Sequence, residues 1–286
     1  MTKQPRVALV TGAGSGLGLE SALTLAESGW RVFGSVLTDD ESQALQAAAG
    51  ERGVEVSVVK MDITDEAAVR STVDRIHAEA GLDDVVHFAG IGLRGFAEDL
   101  DMDEIRRVFD INTFGSMHVA LAAMPHMRKQ RSGRMILTTS IAGRMASMSI
   151  GGYASSKCAV EGFAEALHQE AILFGVHVSL LEPGLIKTPH FSVHRNRARR
   201  AQDPKSPYYK WFMRHEAVVD GILDRASFSA HDVALVVKKA LEAKRPRLRY
   251  VVGRKAKIIL GMRRHFPGES FERVYWSIVR RMVTKD

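Results

Sequence analysis

Cysteine is almost absent from this chain: Cys158 stands alone among 286 residues. One thiol cannot close an internal disulfide. A lone free cysteine is commonly a small core side chain, so a buried Cys158 is expected. No apolar run approaches the roughly 18 residues that cross a bilayer. There is no internal repeat and no low-complexity tract. The first strand-like segment opens at Arg6, which leaves no room for a signal peptide, so a cytoplasmic location is expected. No nucleic-acid-binding module accompanies the formal charge of +7, and no nucleic-acid partner is expected. No metal site is expected either.

The charge comes late in the chain. Lys244-Arg245, Arg247, Arg249, Arg254-Lys255, Lys257, Arg263-Arg264 and Arg280-Arg281 alternate with Ile258, Ile259, Leu260, Phe266, Phe271, Trp276 and Ile278. Two readings stay open for the C-terminal extension 254–286. It is either a solvated basic face over a hydrophobic seam, or a surface for peripheral contact with an anionic membrane.

What fills the chain is alternation of strand and helix. Strand patterns cover 6–10, 31–36, 54–59, 84–88, 133–139, 176–181 and 249–252. Helical patterns cover 16–28, 40–52, 65–80, 103–130, 152–174 and 230–243. This predicts an α/β fold, a single Rossmann-type, doubly wound parallel sheet flanked by helices on both faces. The length suits one domain over 1–286. The segment 189–228 interrupts the alternation and reads as a helical lid or binding loop, or as a surface helix pair with its aromatics in the core. Apolar residues beyond one stripe on 103–130 and 152–174, among them Phe114, Leu121 and Ile172, suggest either a subunit contact or a deeper core.

Two motifs carry chemistry. Arg6-Val-Ala-Leu-Val10 runs into Thr11-Gly-Ala-Gly-Ser-Gly-Leu-Gly18 and then a helix. In that context Gly12 permits a sharp turn and Gly16 lets the backbone approach a pyrophosphate. Gly18 lets the helix pack closely on the strand, and the helix N-terminus holds the anion. The second motif is Tyr153 and Lys157, four apart and on one helix face, with Ser140 upstream. An ammonium near a phenol favours phenolate, and a phenol so tuned exchanges protons with an alcohol or carbonyl.

Together these motifs resemble the short-chain dehydrogenase/reductase family over about residues 5 to 255. The stretch Phe174 to Pro189 is similar to its retinol and 17β-hydroxysteroid dehydrogenase branch. The resemblance implies an NAD(P)-dependent oxidoreductase that interconverts an alcohol and a carbonyl. It assigns catalysis to Asn112, Ser140, Tyr153 and Lys157, with Asn112 holding a water of the proton relay. Cofactor contacts are implied for Gly12, Ser15, Gly16, Leu17, Gly18, Leu37, Asp62, Ile63, Ala89, Gly90, Asn112, Tyr153, Lys157, Pro183, Gly184, Ile186 and Thr188. The turn before Gly90 carries His87 and Phe88 where the family has asparagines. A substrate pocket is expected from Ser140, Ala142, Met145, Tyr153, Leu185, His190 and Phe191. Its apolar walls suggest a bulky apolar alcohol or ketone such as a steroid or retinoid. A broad reductase of small ketones or 3-oxoacyl compounds is the alternative, favoured if Arg144 points inward. A non-catalytic dinucleotide-binding regulator is a further alternative. No cation stands at the end of the second strand, and Asp39 and Asp40 follow it. NAD is therefore expected over NADP, with Arg31 and Lys60 the residues able to reverse that choice. A homodimer or homotetramer is implied as the assembly.

Overall fold

The computed structural model describes residues 4–186 and 196–284. Strands β1 (Val7–Thr11), β2 (Arg31–Val36), β3 (Val56–Lys60), β4 (Asp84–His87), β5 (Gly133–Thr138), β6 (Val176–Pro183) and β7 (Arg249–Val252) form one parallel sheet in the order β3-β2-β1-β4-β5-β6-β7. The order reverses between β1 and β4. A crevice opens there beyond the strands' carboxyl ends, the usual ligand site of such sheets.

Helices α1 (Gly16–Glu27), α2 (Asp39–Glu51) and α8 (Ala230–Glu242) belong to one side. Helices α3 (Glu66–Ala80), α5 (Gly115–Gln130) and α6 (Gly151–Ala171) belong to the other. Alternate strand residues feed the two cores. Leu9, Val85, Met135 and Leu137 pack toward α3, α5 and α6, while Ala8, Val10, Val86 and Ile136 pack toward α1 and α8. Both faces of the central strands are thus buried, which is why those strands read as largely apolar runs, while the edge strands β3 and β7 are mostly half-buried.

The helical pattern over 103–130 is not one helix. Helix α4 (Met102–Phe109) passes into a π-helical turn, Asp110–Phe114, before α5 begins. One extra residue per turn does not disturb apolar periodicity enough to be seen in sequence, and such turns gather at functional sites. Helix α7 (Tyr209–Asp224) precedes α8, and α9 (Arg254–His265) and α10 (Ser270–Thr284) are the last two helices of the described residues. On α7, Phe212 is fully buried while Trp211 and Met213 are exposed. Among the described residues no helix is long and apolar enough to cross a membrane.

Candidate functional site

The glycine turn sits at the mouth of β1. Gly12 has φ +67°, a conformation that L side chains rarely adopt, and a Cβ there would lie 2.9 Å from the Ala89 nitrogen. Gly12 therefore lets the ends of β1 and β4 close on each other. Ser15 stands at the N-cap of α1 without a capping side-chain hydrogen bond. The first N–H groups of α1, Leu17 among them, are left facing the crevice edge, and such groups with the helix dipole bind phosphates. A dinucleotide pyrophosphate fits this cradle.

Thr11 ties the cradle to β4. Its hydroxyl oxygen accepts from the Phe88 and Ala89 nitrogens at 3.1 and 3.3 Å, and its O–H lies 2.8 Å from His87 Nδ1. Because the oxygen already accepts twice, the O–H donates to Nδ1. His87 then carries its proton on Nε2. That Nε2 is buried and lacks a hydrogen-bond partner among the described residues. Burial, with the Lys157 charge nearby, pushes the imidazole down to about 3, so it is neutral at any working pH. His87 thus braces the glycine turn in the place where the family has an asparagine, a role its residue type did not reveal.

The π-turn aims Asn112 at the loop after β4. Its Oδ1 accepts from the Ile91 nitrogen at 2.8 Å. Its Nδ2 donates to the Ile91 carbonyl at 2.8 Å and to Ser156 Oγ at 3.1 Å. The side chain is fully buried and locks α4–α5, the β4 loop and α6 together. A Cβ on Gly90 would meet Asn112 Oδ1 at 2.9 Å and Lys157 Nζ at 3.5 Å, so Ala89-Gly90 runs directly over both.

Tyr153 and Lys157 share one face of α6, with the lysine nitrogen 5.9 Å from the tyrosine ring centroid. Lys157 Nζ donates to the Thr138 carbonyl at 3.0 Å at the end of β5. Burial pushes this ammonium down to about 8. Burial also holds the Tyr153 phenol above its ordinary value, opposed by a hydrogen bond with Ser140. The phenol is thus held up by burial rather than lowered as the lysine's spacing leads one to expect, and Tyr153 rests as a protonated phenol. Ser140 is half-buried and accepts from the Ala142 nitrogen at 3.1 Å.

The Lys157 shift has a checkable sign. Its folded value lies below the ordinary lysine value, so the buried charge costs stability below about 8, and that cost fades as pH rises further. As a cofactor contact implied by the family resemblance, it loses a charged donor as pH rises through that value. Dinucleotide affinity should fall by about tenfold per unit as pH climbs past the Lys157 value. Fluorescence titrations at fixed ionic strength check this, and a flat profile would remove Lys157 from the cofactor site.

Several expected residues are gathered near this crevice. Pro183 ends β6, and the Gly184 nitrogen donates to the Val252 carbonyl at 2.9 Å. Ile186 is buried in the α1–α8 core, and Leu185 is half-buried. Ile63 is buried against Gly115, while Asp62 is exposed and accepts from the Thr64 nitrogen and hydroxyl at 2.9 and 2.7 Å. Leu37 is exposed at the end of β2. Ala142 and Met145 are both buried, and Met145 packs beneath the C-terminal helices with Leu260 and Phe271. Thr188, His190 and Phe191 lie outside the described residues.

Cys158 overturns its expectation. It is exposed, and its thiol donates to the Gly143 carbonyl at 3.0 Å. Adjacent helix positions differ by about 100°, so directing Lys157 inward turns Cys158 out. Arg144 does not point at the tyrosine either. It reaches Glu182 Oε2 at 3.3 Å, and that carboxylate is also 3.1 Å from Arg249. Glu182 is fully buried and belongs to a network in which Glu161 accepts from Thr139 at 2.6 Å and from Arg249 at 3.1 Å.

One acidic residue went unrecognised in the sequence. Glu41, in the first turn of α2, accepts from the Leu37 nitrogen at 2.7 Å. Its side chain covers Gly14, where a Cβ would stand 2.5 Å from Glu41 Cβ. It brings a carboxylate to the junction of the glycine turn and the end of β2. Its five-residue distance from Val36 hid this.

The family model described as short chain dehydrogenase matches residues 6–199. The oxidoreductase YusZ of Bacillus subtilis is 30% identical over 270 residues, covering 94% of this chain and 96% of that protein. Human retinol dehydrogenase 5 is 32% identical over 266 residues, covering 87% of this chain and 81% of the relative. A short chain dehydrogenase/reductase from Burkholderia phymatum, solved in complex with NAD, superposes with a TM-score of 0.77 at 25% identity. The superposition covers 91% of this chain and 92% of that one.

Proposed function

This chain belongs to the short-chain dehydrogenase/reductase family, in its retinol dehydrogenase branch, and from that premise we propose that it interconverts a bulky apolar alcohol and its carbonyl using NAD. It is an oxidoreductase of the alcohol dehydrogenase and carbonyl reductase type with a nicotinamide dinucleotide cofactor. The observation that carries the substrate class is the commitment of Arg144 to buried Glu182. A small hydroxy acid would need a cation near Ser140, and the arginine closest to it in sequence is already paired. Of the expected pocket residues, Ala142 and Leu185 are apolar, as is half-buried Met148.

Bound nicotinamide would supply the two-electron chemistry, and the chain supplies position and proton. Ser140 holds the substrate oxygen. Tyr153, resting as a phenol, gives its proton to that oxygen when a carbonyl is reduced and takes one back as phenolate in the other direction. Lys157 stabilises the phenolate and holds ribose hydroxyls. Asn112 keeps the π-turn and the Gly90 loop in register beneath them.

The choice of NAD follows from charge. Arg31 opens β2 at the far end of the sheet from the crevice and pairs with Glu79. Lys60 is held by Asp39 at 2.5 Å. Glu41 adds a carboxylate at the glycine turn. A 2′-phosphate would meet acid there without an unpaired cation to balance it. The exposed Phe114, at the end of the π-turn, and Leu121, on α5, support self-association as a homodimer or homotetramer.

One kinetic comparison tests the reading. The ratio kcat/KM for a hydroxysteroid or retinol should exceed that for a short-chain hydroxy acid, with NAD binding tighter than NADP at equal ionic strength. A small acid as the better substrate removes the substrate class, and tighter NADP binding removes the cofactor choice.

A further inference from the structure

The net positive charge of this chain comes from its end. Residues 244–286 hold thirteen lysines and arginines against three acidic residues, a net +10. The whole chain carries +7, so residues 1–243 are net −3. Most of that segment is α9 and α10. Each helix carries an exposed apolar stripe. On α9 and the residue after it, Ile258, Met262 and Phe266 are spaced by four and 40–54% exposed. On α10, Val274, Ile278 and Met282 repeat the spacing at 47–50% exposed, with Trp276 also exposed. Positions four apart share one helix face.

The helices cannot turn these stripes inward, because their other faces are occupied. Leu260 and Phe271 are buried with Met145, and Ile141, Ile259 and Tyr275 pack around them. The Tyr275 hydroxyl donates to Ser147 Oγ at 2.9 Å. The stripes are accompanied by Arg254, Lys255, Lys257, Arg264, Arg280 and Arg281, exposed and without an ion-pair partner among the described residues. A second copy seated on this surface would bring two strongly positive segments together, which electrostatics opposes. Nucleic acid would match the charge but not the apolar stripes. An anionic bilayer matches both, the charges at the headgroups and the stripes at the acyl boundary.

We propose that α9 and α10 dock the enzyme on an anionic phospholipid surface, and that its apolar substrate enters from that surface. The second half rests on the substrate class proposed above. The link between the two is physical: the docking helices clamp the loop Ile141–Ser147, which directly follows Ser140 and leads to Tyr153.

The test uses the full chain with vesicles of phosphatidylcholine alone or mixed with phosphatidylglycerol. Flotation should recover the protein on the mixed vesicles at least about tenfold more than on neutral ones, with the difference lost at high salt. Ile258→Ser with Ile278→Ser, and separately Arg280→Gln with Arg281→Gln, should each weaken recovery by about tenfold. Thermal unfolding and turnover of a water-soluble secondary alcohol should stay unchanged in both. Retinol or a hydroxysteroid carried in the vesicles should be turned over faster from mixed than from neutral ones. Equal recovery on both vesicles, or none, overturns docking. So does a dimer in vesicle-free solution that the serine substitutions abolish. Docking without faster turnover overturns substrate entry alone. Failure to turn over any apolar alcohol in detergent overturns the substrate class and leaves flotation to decide docking.

Discussion

Tyr153→Phe should abolish turnover, lowering kcat by about 10²–10⁴-fold, the usual share of general acid–base catalysis. Cofactor affinity should stay within about twofold of the parent. The separation follows from how the site is held. The lysine is positioned by the Thr138 carbonyl at 3.0 Å and not by the tyrosine hydroxyl. The phenylalanine ring keeps the shape of the tyrosine ring on α6. Only the proton that moves to the substrate oxygen is removed. Steady-state kinetics and a dinucleotide fluorescence titration on the same preparation check both halves. Residual activity above a few per cent would sink Tyr153 as the proton donor. A parallel loss of cofactor affinity would show that the hydroxyl also serves binding.

The parts of this molecule that were legible in the sequence are those set by local chemistry. Seven strands were read from apolar runs within two residues of their observed ends, because both faces of a central parallel strand are buried. The glycine turn was legible because β1 and α1 flank it directly, and Tyr153 and Lys157 because helix spacing alone puts them on one face. What stayed hidden depends on partners distant in sequence. The direction of Arg144 is set by Glu182 on β6. Met145 looked like a pocket wall until Leu260 and Phe271, more than a hundred residues later, covered it. Glu41 reaches Gly14 only because β2 pairs beside β1. His87 looked like a lost asparagine, yet its Nδ1 accepts from Thr11 and keeps the brace. The outward turn of Cys158 could have been read from the sequence, since it follows from Lys157 facing inward.

Gly18→Ala should cost the protein its cofactor. A Cβ at Gly18 would lie 2.1 Å from the Gly12 carbonyl oxygen and 2.6 Å from its carbon. Both are backbone atoms of the turn that holds the end of β1 against Ala89, so no side chain can swing away to relieve the clash. The turn must open, and opening moves the N–H groups of α1 away from the place where a pyrophosphate would sit. We expect dinucleotide affinity to fall at least about a hundredfold, near 2.7 kcal/mol. Overpacking should also lower unfolding stability by about 1–3 kcal/mol. Gly162→Ala is the matched control. Gly162 lies inside α6, and a Cβ there meets nothing within 4 Å. The same substitution should stabilise the protein by about 0.5–1 kcal/mol, because alanine loses less backbone freedom in a helix. Denaturant unfolding and cofactor titration of the two variants separate the effects. If Gly18→Ala binds the dinucleotide as the parent does, the turn is not the phosphate cradle. The cofactor site would then have to be sought elsewhere along the carboxyl edge of the sheet.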